Sequence, residues 1–267
     1  MRLAAQAGEA GVGPRVIHAD AASGIIAMQG LALGWRTATQ YSLQDALPAA
    51  MAALKINDFL PDHRPSTHSD FACRDKRVAA IAAYRRMHAL PALGLTKTVF
   101  DMIDEHAAQC RTLDAPRFRH HDWVMLNEAM AREALMAAGM DLVPCFNDPM
   151  PGNFMIGPDG SIMLIDYEYS SMNDRCYDLG IWFGEMFFTP AQEMELIEEY
   201  FGHAPRDLVA RVTVHKALAD VKWALWSMVQ LRVSRLDFDF HKYGMWKLMR
   251  FRQITGHPDW PAQLRSL

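Results

Sequence analysis

Cysteine is scarce in this chain: Cys73, Cys110, Cys145 and Cys176 are four among 267 residues, far apart and with no CxxC pair. That spacing excludes a zinc ribbon and a disulfide scaffold. With no signal-peptide pattern at the start, it predicts reduced thiols and a cytoplasmic setting. No apolar run approaches the roughly 20 residues that a membrane helix needs, so no span is expected. An excess of one charge is also missing, since 27 Lys and Arg against 31 Asp and Glu leave a net −4. Such a balance gives no overall footprint for nucleic acid. What is present is 51% hydrophobic content, enough for a sizeable core in one large domain or two small ones.

Residues 1–35 read as a short Ala-rich helix followed by two strands, 15-RVIHAD-20 and 24-GIIAMQGL-31. Helical periodicity then dominates, with apolar residues at i, i+3 and i+4 over 44–56, 76–90, 97–113 and 123–139. The pattern changes at 153-NFMIG-157 and 161-SIMLID-166, two short runs around Pro158-Asp159-Gly160, which predict a hairpin. Helices resume over 176–188, 190–201, 205–235 and 239–254, and Pro258 and Pro261 sit in a tail of little pattern. No internal repeat is visible.

The run from Cys145 to Gly180 carries the chemistry. Asp148, then Asn153 five positions on, then Asp166 at the end of the hairpin match the kinase order of catalytic-loop base, metal-binding Asn and second metal-binding Asp. The base accepts a proton from the attacking hydroxyl, while the amide and carboxylate oxygens hold Mg²⁺ on nucleotide phosphates. The bland alternative makes Asp148 and Asn153 turn residues around Pro149, Pro151 and Gly152. Three such residues in this context favour the functional reading. The 120-HHD-122 cluster lacks a further ligand pair and reads as a helix start with Asp122 as N-cap.

These segments, 146-FNDPMPGN-153, 164-LIDYEY-169 and 178-DLG-180, resemble the phosphotransferase motif of the choline/ethanolamine kinase family, relatives of the aminoglycoside phosphotransferases. A second segment, 222-KWALWSMVQ-230 with 237-DFDFHKYGMWK-247, is similar to that family's substrate helix. The resemblance implies an α+β, protein-kinase-like fold. Residues 1–35 would be a remnant of the nucleotide-binding lobe, and 36–267 a mostly helical lobe with catalytic loop and substrate pocket.

By the same resemblance Asp148 is the catalytic base, Asn153 and Asp166 bind Mg²⁺ and the nucleotide, and Asp178 supports the loop. Trp223 and Trp226, three apart on one helix face, with Glu185, Tyr169 and Tyr243, would surround a cationic substrate through aromatic faces and one acid. Ordinary core for the Trp pair, and a solvated helix charge for Glu185, remain open on the residues alone.

The implied activity is ATP- and Mg²⁺-dependent phosphorylation of a small amino alcohol, choline first, then ethanolamine, thiamine or an aminoglycoside. No nucleic-acid partner or membrane span is expected, and oligomerisation stays open. Two departures qualify the resemblance. Phe146 replaces a loop-bracing histidine, and no Gly-rich loop or strand lysine stands before Lys55. The rival reading is therefore a shortened, catalytically weak or inactive relative acting as a binding module.

Overall fold

A computed structural model describes residues 1–38 and 70–267. The helix expected over 44–56, and all but the end of the polar stretch 57–71, lie outside the described residues. By packing, the chain divides into two units. One comprises Met1–Leu90, Pro149–Glu168 and Glu185–Tyr200; the other comprises Pro91–Asp148, Tyr169–Gly184 and Phe201–Leu267. This grouping follows contacts and does not coincide with the line between residues 35 and 36 drawn from the motifs.

The first, hairpin unit begins with α1 (Arg2–Glu9), whose Leu3, Ala4 and Ala7 are buried. The helix closes when Ala7 O accepts the N–H groups of Val12 and Gly13 at 2.8 and 3.1 Å. A Cβ on Gly13 would stand 2.5 Å from Tyr167 Oη and 2.8 Å from Leu164 O, so only glycine lets the turn approach this closely. Strands β1 (Val16–Asp20) and β2 (Ile25–Met28) pair as an antiparallel ribbon.

Strands β3 (Arg36–Thr37), β5 (Phe154–Ile156) and β6 (Ile162–Leu164) form a three-stranded sheet in the order β3-β5-β6. The sequence pattern does not mark β3, which is two residues long and too short to show alternation. Helix α2 (Arg74–His88) packs against β6, and Phe154 meets Phe71 and Tyr84 edge-on at 5.2 and 6.1 Å. Helix α6 (Pro190–Phe201) joins this unit through Glu195, which accepts from Arg74 and Arg77 at 2.5 and 2.8 Å.

The second, helical unit contains α3 (Val99–Thr112), α4 (His121–Ala138), α7 (Arg206–Val233), α8 (Phe240–Thr255) and α9 (Trp260–Ser266). It also holds the antiparallel pair β4 (Leu142–Cys145) and β7 (Ser171–Asp174). Helix α5 (Arg175–Met186) contributes Arg175–Gly184 here and its last turn to the other unit. Thr98 starts α3 with a capping box, its hydroxyl accepting from Asp101 N–H.

Helix α7 is buried on most of its surface, with Leu218, Leu225 and Met228 in one core with Ile103, Leu135 and Phe251. A helix apolar on nearly all sides belongs at the centre of a bundle.

Two local expectations change. Helix α4 starts at His121 after His120, whose φ is 61°, and Asp122 pairs with Arg117 at 2.6 Å from the first turn instead of capping the helix. The tail is ordered as α9, with Pro261 in its first turn, where a missing N–H costs nothing, and with Trp260 buried in the core. No described helix is long and apolar enough to cross a membrane, and all four cysteines are free.

Candidate active site

The loop before Asp148 leaves β4, whose register with β7 pairs Val143 with Asn173 and Cys145 with Ser171. Asp178, in the first turn of α5, accepts the Phe146 N–H at 2.6 Å through Oδ2 and the Asn147 N–H at 2.7 Å through Oδ1. One fully buried carboxylate thus holds two consecutive loop amides.

Asn147 adopts φ 65°, and its Nδ2 donates to Tyr169 O at 2.9 Å and Ser171 Oγ at 2.8 Å. Its Oδ1 accepts from Asn173 Nδ2 at 2.9 Å. A left-handed conformation at a non-glycine residue costs about 1–3 kcal/mol and persists only when its surroundings over-determine it. Here four hydrogen bonds on one residue do so. Phe146 is fully buried and fills its position by packing, and the side-chain bracing comes from Asn147, a residue that the motif reading passes over. The signal is its place directly before Asp148. Asp148 itself is 8% exposed.

Asn153 and Asp166 lie in the hairpin unit. Asn153 ends a 3₁₀ turn, Pro151–Asn153, and leads into β5. Its backbone O accepts the Ile165 N–H at 3.0 Å, which extends the β5–β6 ladder and brings Asn153 opposite the residue before Asp166. Asp166 has φ 66° and is exposed. Among the described residues its carboxylate makes no hydrogen bond or ion pair. An amide oxygen and an available carboxylate are hard donors of the kind Mg²⁺ takes, one or two from the protein and the rest from phosphate and water. The residues fit that ion.

The four aromatic residues named from the sequence meet in the helical unit. Tyr169 lies 5.4 Å from Trp223, Trp223 lies 5.2 Å from Trp226, and Trp226 lies 6.0 Å from Tyr243, each edge to face. Trp223 is buried, while Tyr169, Trp226 and Tyr243 keep part of their surface in solvent. Glu185 is 4% exposed and belongs to the hairpin unit.

Two lysines that the motif reading misses stand among these rings. Lys222 Nζ is 3.0 Å from the Trp223 ring centre and 4.4 Å from that of Tyr169, and Lys247 Nζ is 4.7 Å from that of Tyr243. Both side chains are buried. Among the described residues, Lys222 Nζ has no hydrogen-bond partner. Burial pushes its ammonium well below the ordinary value, with the Asp148 carboxylate pulling the other way. A lysine within the largely apolar stretch 221–229 was the available signal.

Predominant helices, short antiparallel strand pairs and an Asp-loop followed by an Asn- and Asp-bearing hairpin make this an α+β, protein-kinase-like fold. Solved structures agree. A choline/ethanolamine kinase family protein from Mesorhizobium loti superposes with a TM-score of 0.79 at 26% identity, covering 99% of this chain and 81% of that one. The choline kinase LicA from Streptococcus pneumoniae gives 0.70 at 20% identity over 94% and 78%. The family model described as choline/ethanolamine kinase matches residues 69–200, just under half of the chain. Ethanolamine kinase 2 of Rattus norvegicus is 28% identical over 176 residues, 58% of this chain and 44% of that protein. The chain therefore spans less than half the length of that curated relative. The family match includes Asp148, Asn153, Asp166, Asp178 and Glu185, and ends before Trp223, Trp226 and Tyr243.

Proposed function

We propose that this chain transfers a phosphoryl group from ATP to the hydroxyl of a small molecule. Asp148 orients and deprotonates that hydroxyl, and Asn153 and Asp166 hold Mg²⁺. The metal and nucleotide supply charge neutralisation and the transferred group. The chain's own contribution is positioning. The observation that carries the reading is the Asp178 carboxylate clamping Phe146 and Asn147, which fixes the backbone immediately ahead of the proposed base.

A small amino alcohol is the acceptor suggested by the family resemblance, since similar proteins are named ethanolamine kinase and choline kinase. The Trp223–Trp226 pair is the feature that speaks for choline. Choline is therefore the first acceptor to test, and the conclusion stays at phosphoryl transfer to a small alcohol.

The test is ADP release with Mg²⁺-ATP over choline, ethanolamine, thiamine and an aminoglycoside, with Asp148→Asn as control. Turnover that falls by about 10²–10⁴-fold in the variant is the expected result for a lost general base. Unchanged turnover in Asp148→Asn would remove the assigned base.

A further inference from the structure

Between the start of α4 and one face of α8 the helical unit carries a groove of about 810 Å³, within the roughly 300–1,000 Å³ of ordinary small-molecule sites. Trp123 and Val124 line it from α4, and Met245, Leu248 and Met249 from α8. None of its lining residues belongs to the catalytic loop, the hairpin or the aromatic group around Trp223. From Met245 to Gly256 the lining positions recur at helical spacing, so α8 flanks the groove for about 16 Å at 1.5 Å per residue.

Val124 and Leu248 are buried and form the floor, whereas Trp123 and Met249 stand 37% and 66% exposed. Phe251 holds Trp123 edge to face at 6.0 Å. Methionine is unbranched and adaptable, which suits a wall that receives a flexible aliphatic chain.

The charged lining residues are Arg119, in the loop before α4, and Arg252, in the last turn of α8, and no Asp or Glu lines the groove. Among the described residues neither guanidinium makes a hydrogen bond or ion pair. Arg117, two residues before Arg119, is by contrast taken up by Asp122 at 2.6 Å. Two available guanidinium forks on one apolar groove are matched by a carboxylate or a phosphate. A second copy of this chain fits poorly, since a twofold contact would set the patch against itself, arginine against arginine. A bilayer surface is flat and would leave the floor unfilled.

We infer that this groove binds a detached anionic amphiphile. Its single aliphatic chain packs on Trp123, Leu248 and Met249, and its carboxylate or phosphate head meets Arg119 and Arg252. It is a second site, and it needs nothing from phosphoryl transfer.

The test is calorimetry on the full chain with decyl compounds kept below their micellar concentrations: decanoate and decyl phosphate as anions, decanol as the neutral form. One anion per chain is expected, bound about ten-fold or more tighter than decanol, the gain of a charge-assisted hydrogen bond. The double variant Arg119→Gln, Arg252→Gln should lose that preference and keep decanol binding, and Met249→Glu should weaken all three ligands. These positions are exposed, so the melting temperature should stay level. Should the double variant fail to fold, Gln253→Glu, which sets a carboxylate on the groove, takes its place and should weaken the anions alone.

Decanol binding as tightly as both anions overturns the inference, as does binding of several anions per chain or an anion preference unchanged in these charge variants. Binding confined to phosphatidylglycerol vesicles would assign the face to a bilayer, and a dimer of the free chain dissolved by Met249→Glu would assign it to a second copy. Either result also overturns it.

Discussion

Helix α7 carries two buried charges of opposite construction. Asp220 is matched: Arg250 of α8 reaches both its oxygens, at 2.9 and 3.0 Å through Nε, and also donates to Gly184 O. Lys222, two residues on, has rings around its ammonium and no hydrogen-bond acceptor among the described residues. The first arrangement joins helices. The second rests its ammonium on two ring faces instead of an ion pair.

The contrast breaks most visibly at the matched pair. Arg250→Met leaves Asp220 buried without its cation and should cost about 3–5 kcal/mol in urea unfolding. The double change to Asp220→Leu and Arg250→Met should return most of that loss, because apolar replacement of a whole buried pair is often neutral. A double variant as unstable as the single one would show that Gly184 O or packing carries the effect.

A second matched centre sharpens the comparison by pH. Burial alone would push the Asp174 carboxyl up, but His215 and Arg211 outweigh it and hold the group well below the usual carboxylate range. The Asp141 and Cys176 N–H groups add bonds at 3.0 and 2.9 Å. A carboxylate depressed in the folded state contributes stability that is present above about pH 4 and lost as pH falls further. Asp174→Asn should therefore lower stability at neutral pH by a few kcal/mol, on the order expected for a broken buried pair. It should also flatten the acid limb of the stability curve below about pH 4, as read by chemical denaturation at stepped pH.

The smallest effect is expected at the unmatched charge. With its folded-state value depressed by burial, Lys222 makes the folded protein gain stability as pH rises toward the unfolded lysine's value of about 10.4. Lys222→Met should remove that slope and change stability at neutral pH by no more than about 1 kcal/mol, in the favourable direction. A loss of several kcal/mol would mean that Lys222 supports the bundle through its ring contacts.

How far the sequence foretells all this depends on the range of the forces involved. The β5–β6 hairpin is legible because Pro158-Asp159-Gly160 and two short apolar runs are local signals, and its register follows from the turn. The five C-terminal helices are mostly legible from period 3.6, except α9, where Pro261 looks like a breaker although proline is at home in a first turn.

The β4–β7 pair is not legible. Leu-Val-Pro-Cys and Ser-Met-Asn-Asp show no alternation, and their pairing is made by partners some thirty residues away. In the candidate site, Asp148, Asn153 and Asp166 stand out by spacing, because the chemistry fixes their order along the chain. Asn147 and Lys222 escape notice because their importance lies in what surrounds them, which no local pattern encodes.

The clamp that Asp178 places on Phe146 and Asn147 is built from main-chain amides, so it is indifferent to which side chains follow on α7 and α8. Substitutions on those helices can therefore accumulate without loosening the backbone ahead of Asp148.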